Sequence, residues 1–242
     1  MNSFLPDPPA AEPKAESAAE PAAEAPKCQP RVWFEILAVV GLTLIPSIWF
    51  SFEAMLKPRT LETNLSSQIR WVCTCALETY AILYFVRIAG IPFVRIGIVR
   101  LKWNDLAIAL AVLILDFGVN GILHRVIPHI DGIEVRPPIP DPFASANFAL
   151  YFAWRITASF SEEVVARGYL ITRIWDATGS PLAAVFLSAA AFGAAHAYQG
   201  THAIVYTTVT GLIYGFGFAF CRRLWPFALV HAFWNLVVVG RQ

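Results

Sequence analysis

Residues 146–170 read ANFALYFAWRITASFSEEVVARGYL, a largely apolar helical stretch that also carries Arg155, Glu162, Glu163 and Arg167. A charge at the centre of a membrane helix costs about 2.5–3.5 kcal/mol on insertion scales, so two adjacent carboxylates and an arginine need pairing or a function to offset them. Glu163 and Arg167 are four residues apart and stack on one helical face, so their ion pair has a purely structural explanation. Glu162 lies about 100° further round the helix and is left without that partner.

The rest of the chain suits the same solvent. Of its 242 residues, 57% are apolar and 14% charged, against about 25% charged in an ordinary soluble domain. After position 30, apolar runs near 32–55, 70–89, 105–124, 146–170, 181–198, 202–220 and 224–240 approach the roughly 20 residues needed to cross a bilayer. The expected fold is therefore an all-α integral membrane protein, a polytopic bundle of about seven transmembrane helices over residues 31–242, with its motif-bearing core at 145–240. Residues 1–30 hold seven Pro and eight Ala with five acids and two Lys, which predicts a disordered tail. The formal net charge of +1 and the scattered bases exclude nucleic acid as a partner; the expected partners are the lipid bilayer and a membrane-associated substrate.

With the N-terminus inside, ten bases fall on the cytoplasmic side and six on the other, so the positive-inside rule favours a cytoplasmic N-terminus. The segment Ile91–Lys102 alternates apolar and basic residues, which suits a stretch lying on an anionic leaflet. Pro128–Pro142, with five prolines, must be irregular and belongs outside the hydrocarbon, as a connector or a lid. Cys73, Cys75 and Cys221 lie in or beside spans and are expected to be buried as small apolar groups. Gly211, Gly215 and Gly217 either open room for a peptide or permit close helix packing.

Ser180 as N-cap and Pro181 at the first helical position fix a turn near 178–180. Counting seventeen residues back from 179 reaches Glu162, and seventeen forward reaches His196, so an antiparallel pair brings the two to one level. Phe192 shares a face with His196, and Gly193 to Ala195 keep that stretch thin. In the last run His231 and Asn235 sit one turn apart on one face. Two membrane histidines beside an unpaired glutamate point to chemistry rather than to helix packing alone.

Glu-Glu-x-x-x-Arg at Glu162, Glu163 and Arg167, Phe-x-x-x-His at Phe192 and His196, and His-x-x-x-Asn at His231 and Asn235, each in its own hydrophobic segment, resemble the CAAX protease and bacteriocin-processing family of intramembrane endopeptidases. The resemblance covers about residues 145–240. It implies hydrolysis of a peptide bond in a membrane-associated protein or peptide by an activated water, without a covalent intermediate. Glu162 and His196 would activate the water, His231 and Asn235 would stabilise the oxyanion, and Glu163, Arg167 and Phe192 would support the site. Prenylated tails, leader peptides and C-terminal anchor segments are all compatible substrates, and the cytoplasmic membrane of a bacterium is the expected location.

No cofactor is expected under this reading. A competing one makes Glu162, His196 and His231 the ligands of a zinc ion with an open position for water, although the chain has no His-Glu-x-x-His helix. A different class, a transporter or proton relay, would draw on Glu78, Asp116 and Arg155 as further membrane ionisables, which equally suit interhelical ion pairs. A third reading is an immunity or binding protein that keeps the scaffold without turnover.

Overall fold

The computed structural model describes residues 30–57, 64–126 and 148–237, all helical or in connections among them. The helices are α1 (Pro30–Leu56), α2 (Leu65–Ile88), α3 (Trp103–Val126), α4 (Phe148–Glu163), α5 (Thr172–Thr178), α6 (Pro181–Ala195), α7 (Thr201–Cys221) and α8 (Trp225–Val237). α4 runs into α5 through a π-helical segment, Val164–Ile171, so the chain is helical from Phe148 to Thr178. Among the described residues, four stretches are long and apolar enough to cross a membrane by themselves: Arg31–Leu56, Leu65–Ile88, Trp103–Val126 and Thr201–Cys221. The protein is an all-α integral membrane protein. The expected tail at 1–30 falls almost wholly outside the described residues, and the proline-rich stretch Pro128–Pro142 falls entirely outside them.

One expected span is shorter than its apolar run suggested, and another is described only as far as Val237. α6 has 15 residues and α8 has 13, about 22 and 20 Å at 1.5 Å per residue, and α6 stops at Ala195 instead of continuing to 198. Their outward faces still carry large apolar groups, as do those of the longer helices: Trp49, Leu110, Phe186 and Phe220 are among those exposed. In water such a surface would drive aggregation; in lipid it is the solvated surface.

One end of the bundle gathers the connection after α2, the turn between α5 and α6, and the connection between α7 and α8. The Leu224 amide donates to the Gly97 carbonyl at 2.9 Å, the Trp225 indole to Val99, and Arg222 to the Arg95 carbonyl at 3.2 Å. Arg223 pairs with Asp105 at the start of α3. Arg173 binds Glu35 of α1 at 2.6 Å and Asp176 at 2.9 Å, and Arg95 reaches Asp176 at 2.6 Å. Ile91–Lys102 is thus tied to the α7–α8 connection by backbone and side-chain hydrogen bonds. Ile96 is fully buried, and Gly97, at φ +79°, lies so near Phe218 that a Cβ would come within 2.6 Å of its ring. Of the apolar residues in this segment Ile91 and Ile96 are buried while Phe93, Val94 and Leu101 are exposed, and of the bases Arg95 is paired with Asp176.

The glycines on α7 serve packing. A Cβ at Gly211 would meet the Ala189 backbone and one at Gly215 the Val185 side chain, so α6 and α7 approach closely, while one at Gly217 would meet the Phe227 ring. The cysteines depart from expectation: Cys73 is exposed, and Cys75 and Cys221 are half-buried. On a lipid-facing helix the outward face is already apolar, so a small thiol gains nothing by turning inward.

Candidate active site

The α5–α6 turn closes as its residues dictate. Gly179 takes the left-handed conformation at φ +71°, and the Ser180 hydroxyl accepts from the Ala183 amide at 3.1 Å. Pro181 opens the next helix. The two arms run back along each other and bring Glu162 Oε2 to 3.6 Å from His196 Nε2. His196 caps the C-terminus of α6 at φ −101°, ψ 9°, and its Nδ1 lies 2.8 Å from the Phe192 carbonyl of its own helix.

α8 supplies the third group. His231 Nε2 is also 3.6 Å from Glu162 Oε2, while its Nδ1 is 2.8 Å from Glu163 Oε1. The two neighbouring glutamates therefore address opposite nitrogens of one imidazole. A carbonyl and a carboxylate only accept, so both histidines carry a proton on Nδ1 and, when neutral, present Nε2 lone pairs to the same carboxylate oxygen. Glu162 Oε2 is itself buried without a hydrogen-bond partner. The two Nε2 atoms and Glu162 Oε2 thus converge at separations beyond direct hydrogen bonding.

Behind this point Glu163 and Arg167 form the expected pair at 2.9 Å, both essentially inaccessible. Arg167 Cζ lies 4.3 Å from the centre of the Phe192 ring and 5.1 Å from that of Tyr214, so aromatic faces take up guanidinium surface that has no hydrogen-bond acceptor. Phe192 also packs 4.6 Å from the His196 ring and edge-on to His231 at 5.8 Å. Arg167 sits in the π segment, whose wider turns are uncommon and recur at functional sites. Ser188 of α6 donates to the Ala166 carbonyl at 2.7 Å, and Gly168 lets Ile96 approach, its carbonyl 3.1 Å from where a Cβ would stand.

Asn235 is held further along α8. Its Nδ2 donates to Ser159 Oγ at 2.8 Å, and its carbonyl accepts from Arg155 Nε at 3.1 Å. Of the other membrane ionisables, Glu78 accepts from Ser161 at 3.1 Å. Asp116 accepts from Thr210 at 2.7 Å and from Asn120 at 2.9 Å. Glu78, Asp116 and Arg155 are held by these hydrogen bonds to neutral groups, where ion pairs between helices had been an expectation. Sequence reasoning did not single out Ser188 or Tyr214, and gave Ser159 no role. A signal for Ser159 existed, since it stands four residues before Glu163 on the same stripe of α4.

Among the described residues, no group of three His, Cys, Asp or Glu side chains is arranged to hold a metal ion. Residues 144–237 match the family model described as Rce1-like, type II CAAX prenyl endopeptidase Rce1-like. Neither the curated proteins nor the solved structures contain a match to this chain.

Proposed function

We propose that this protein, whose residues 144–237 match the Rce1-like family model, is a CAAX-protease-type intramembrane endopeptidase in which Glu162 and His196 activate water. The observation that carries the reading is the convergence of His196 Nε2 and His231 Nε2 on the buried Glu162 Oε2, each at 3.6 Å. A water in that place would donate to the carboxylate and to one imidazole, and would have a lone pair free for attack.

In the proposed reaction Glu162 takes a proton from the water as its oxygen bonds to the scissile carbonyl carbon, and the C=O π pair moves onto the oxygen. The proton passes from Glu162 to His196 Nε2 and on to the amide nitrogen, whose bond to carbon then breaks. His231, doubly protonated and with Glu163 as counter-charge on its far side, donates from Nε2 to the oxyanion, and Asn235 gives a second hydrogen bond. Such donors count for most where water is scarce. Glu163, Arg167 and Phe192 fix the helix and the two rings.

The zinc reading rests on the same three atoms. It has one observation in its favour: each histidine's Nδ1 meets a carbonyl or carboxylate, as in metal-bound imidazoles. Glu162, His196 and His231 would then hold the ion, which would supply Lewis-acid activation of water. The metal-free route accounts in addition for a hydrogen-bonding role of Asn235.

The proposed substrates are membrane-associated proteins or peptides: prenylated tails, leader peptides or C-terminal anchor segments. We place the N-terminus on the cytoplasmic side of a bacterial membrane, because Arg87, Arg95, Arg100, Lys102, Arg173, Arg222 and Arg223 gather at the end where α1 begins. The test is reconstitution in liposomes with these three substrate types, before and after stringent chelation. Cleavage that disappears in Glu162→Ala and in His196→Ala and survives chelation is expected; cleavage that persists in both variants would overturn the mechanism.

A further inference from the structure

Three hydrogen bonds close a ring between α4 and α8. Arg155 Nε donates to the Asn235 carbonyl at 3.1 Å, Asn235 Nδ2 donates to Ser159 Oγ at 2.8 Å, and Ser159 Oγ donates to the Arg155 carbonyl at 2.8 Å. Ser159 is fully buried, so its hydroxyl has no water with which to exchange these partners. Its single proton is committed to the Arg155 carbonyl, which can only accept, and toward Asn235 the oxygen can therefore only accept. That fixes the amide: turned over, it would set a carbonyl oxygen against an oxygen with no proton to give.

The same stripe of α4 continues one turn on to Glu163, which grips His231 Nδ1 at 2.8 Å. Positions 155, 159 and 163 thus face 235 and 231 in antiparallel order, and His231 and Asn235 of α8 are each held from one side by α4. Holding His231 by Nδ1 turns Nε2 toward Glu162. Holding Asn235 by one N–H leaves its second N–H and Oδ1 for another partner.

We infer that Ser159 is a positioning residue, which acts through Asn235 by locking its side-chain amide with the nitrogen presented to the reacting carbonyl. The inference rests on the oxyanion role proposed for Asn235. Ser159 itself touches no reacting atom, so its effect belongs in turnover rather than in substrate affinity, and it exists only while Asn235 is present.

The experiment is a double-mutant cycle on the full chain in liposomes, with a fluorescence-quenched peptide ending in a farnesylated cysteine and three further residues as the probe. Removing an oxyanion donor costs about 100- to 1000-fold in kcat; a donor that is present but unlocked should lose less. Ser159→Ala is expected to lower kcat about tenfold with KM little changed, and to have no further effect in an Asn235→Ala background. Ser159→Cys keeps the volume while offering a poor acceptor, and should resemble Ser159→Ala even if the alanine variant folds badly. Equal losses from Ser159→Ala with and without Asn235 would overturn the inference, as would an unchanged kcat.

Failure of the underlying reading looks different, since cleavage would then survive Glu162→Ala. Thermal unfolding of the same four proteins measures Ser159–Asn235 coupling whether or not the probe is cleaved. Additive shifts there would remove the lock itself.

Discussion

Glu163 and His231 meet at 2.8 Å, Oε1 to Nδ1, and the same carboxylate oxygen lies 2.9 Å from Arg167 Nη1. One buried carboxylate therefore serves a guanidinium from its own helix and an imidazole from α8, while its neighbour Glu162 addresses the opposite nitrogen of that imidazole. Adjacent residues of one type thus have separable duties. Glu163 is wholly buried, whereas the side chain of Glu162 is 36% exposed.

The two glutamates should part company on substitution. Glu163→Ala leaves the Arg167 charge buried without its carboxylate, and breaking a buried pair in this way costs about 3–5 kcal/mol; a marked fall in unfolding midpoint in detergent is expected. Glu162→Ala removes no ion pair with an arginine and should leave the midpoint almost unchanged while abolishing cleavage. A Glu162→Ala protein as unstable as Glu163→Ala would show that the first glutamate, too, is chiefly structural.

Gly193 sets how closely α6 approaches α7, three residues before His196. A Cβ there would fall within contact distance of Thr208 Oγ1 and would stand 2.8 Å from the Ile204 carbonyl. Gly193→Ala should therefore destabilise by about 1–3 kcal/mol, as overpacking does, and lower cleavage by shifting His196 away from Glu162. Thr208→Ala in the same chain removes the hydroxyl but not the backbone carbonyl, so it should restore only part of the loss. Full recovery in the double variant would locate the whole clash in the Thr208 side chain.

How far the site was legible follows from which interactions are local. The Glu163–Arg167 pair is an i, i+4 contact, and the turn at 178–180 is specified by Gly179, Ser180 and Pro181, so counting outward placed Glu162 opposite His196. The widened turns of 164–171 were not legible, because they depend on partners from elsewhere: Ser188 at the Ala166 carbonyl and Ile96 against Gly168. The end of α6 at Ala195 was hidden by composition, since the expected run 181–198 reaches as far as Tyr198, whose amide turns to the Ser51 hydroxyl of α1 at 2.8 Å. Ile91–Lys102 shows the converse. Its alternation was legible, but its bonds to Leu224 and Trp225 are long-range and were not.

Phe192 was identified only as part of a motif, yet its ring has three neighbours with different demands. Arg167 Cζ lies over its face at 4.3 Å, and the rings of His196 and His231 pack at 4.6 and 5.8 Å. A cation against an aromatic face contributes about 0.5–2 kcal/mol, more when desolvated, and a planar guanidinium suits that face better than an ammonium. Phe192→Leu keeps an apolar side chain but removes the face; Arg167→Lys keeps the charge beside Glu163 but not the planar stack. In a cycle of these two substitutions, the unfolding free energies should show a coupling of about 0.5–2 kcal/mol, because each single change removes the same contact. Phe192→Leu should also lower cleavage more than its stability loss explains, since both imidazoles then lose a wall that limits their rotation about the Glu162 carboxylate. Strict additivity, with activity falling only in step with folded protein, would reduce Phe192 to a space-filling residue.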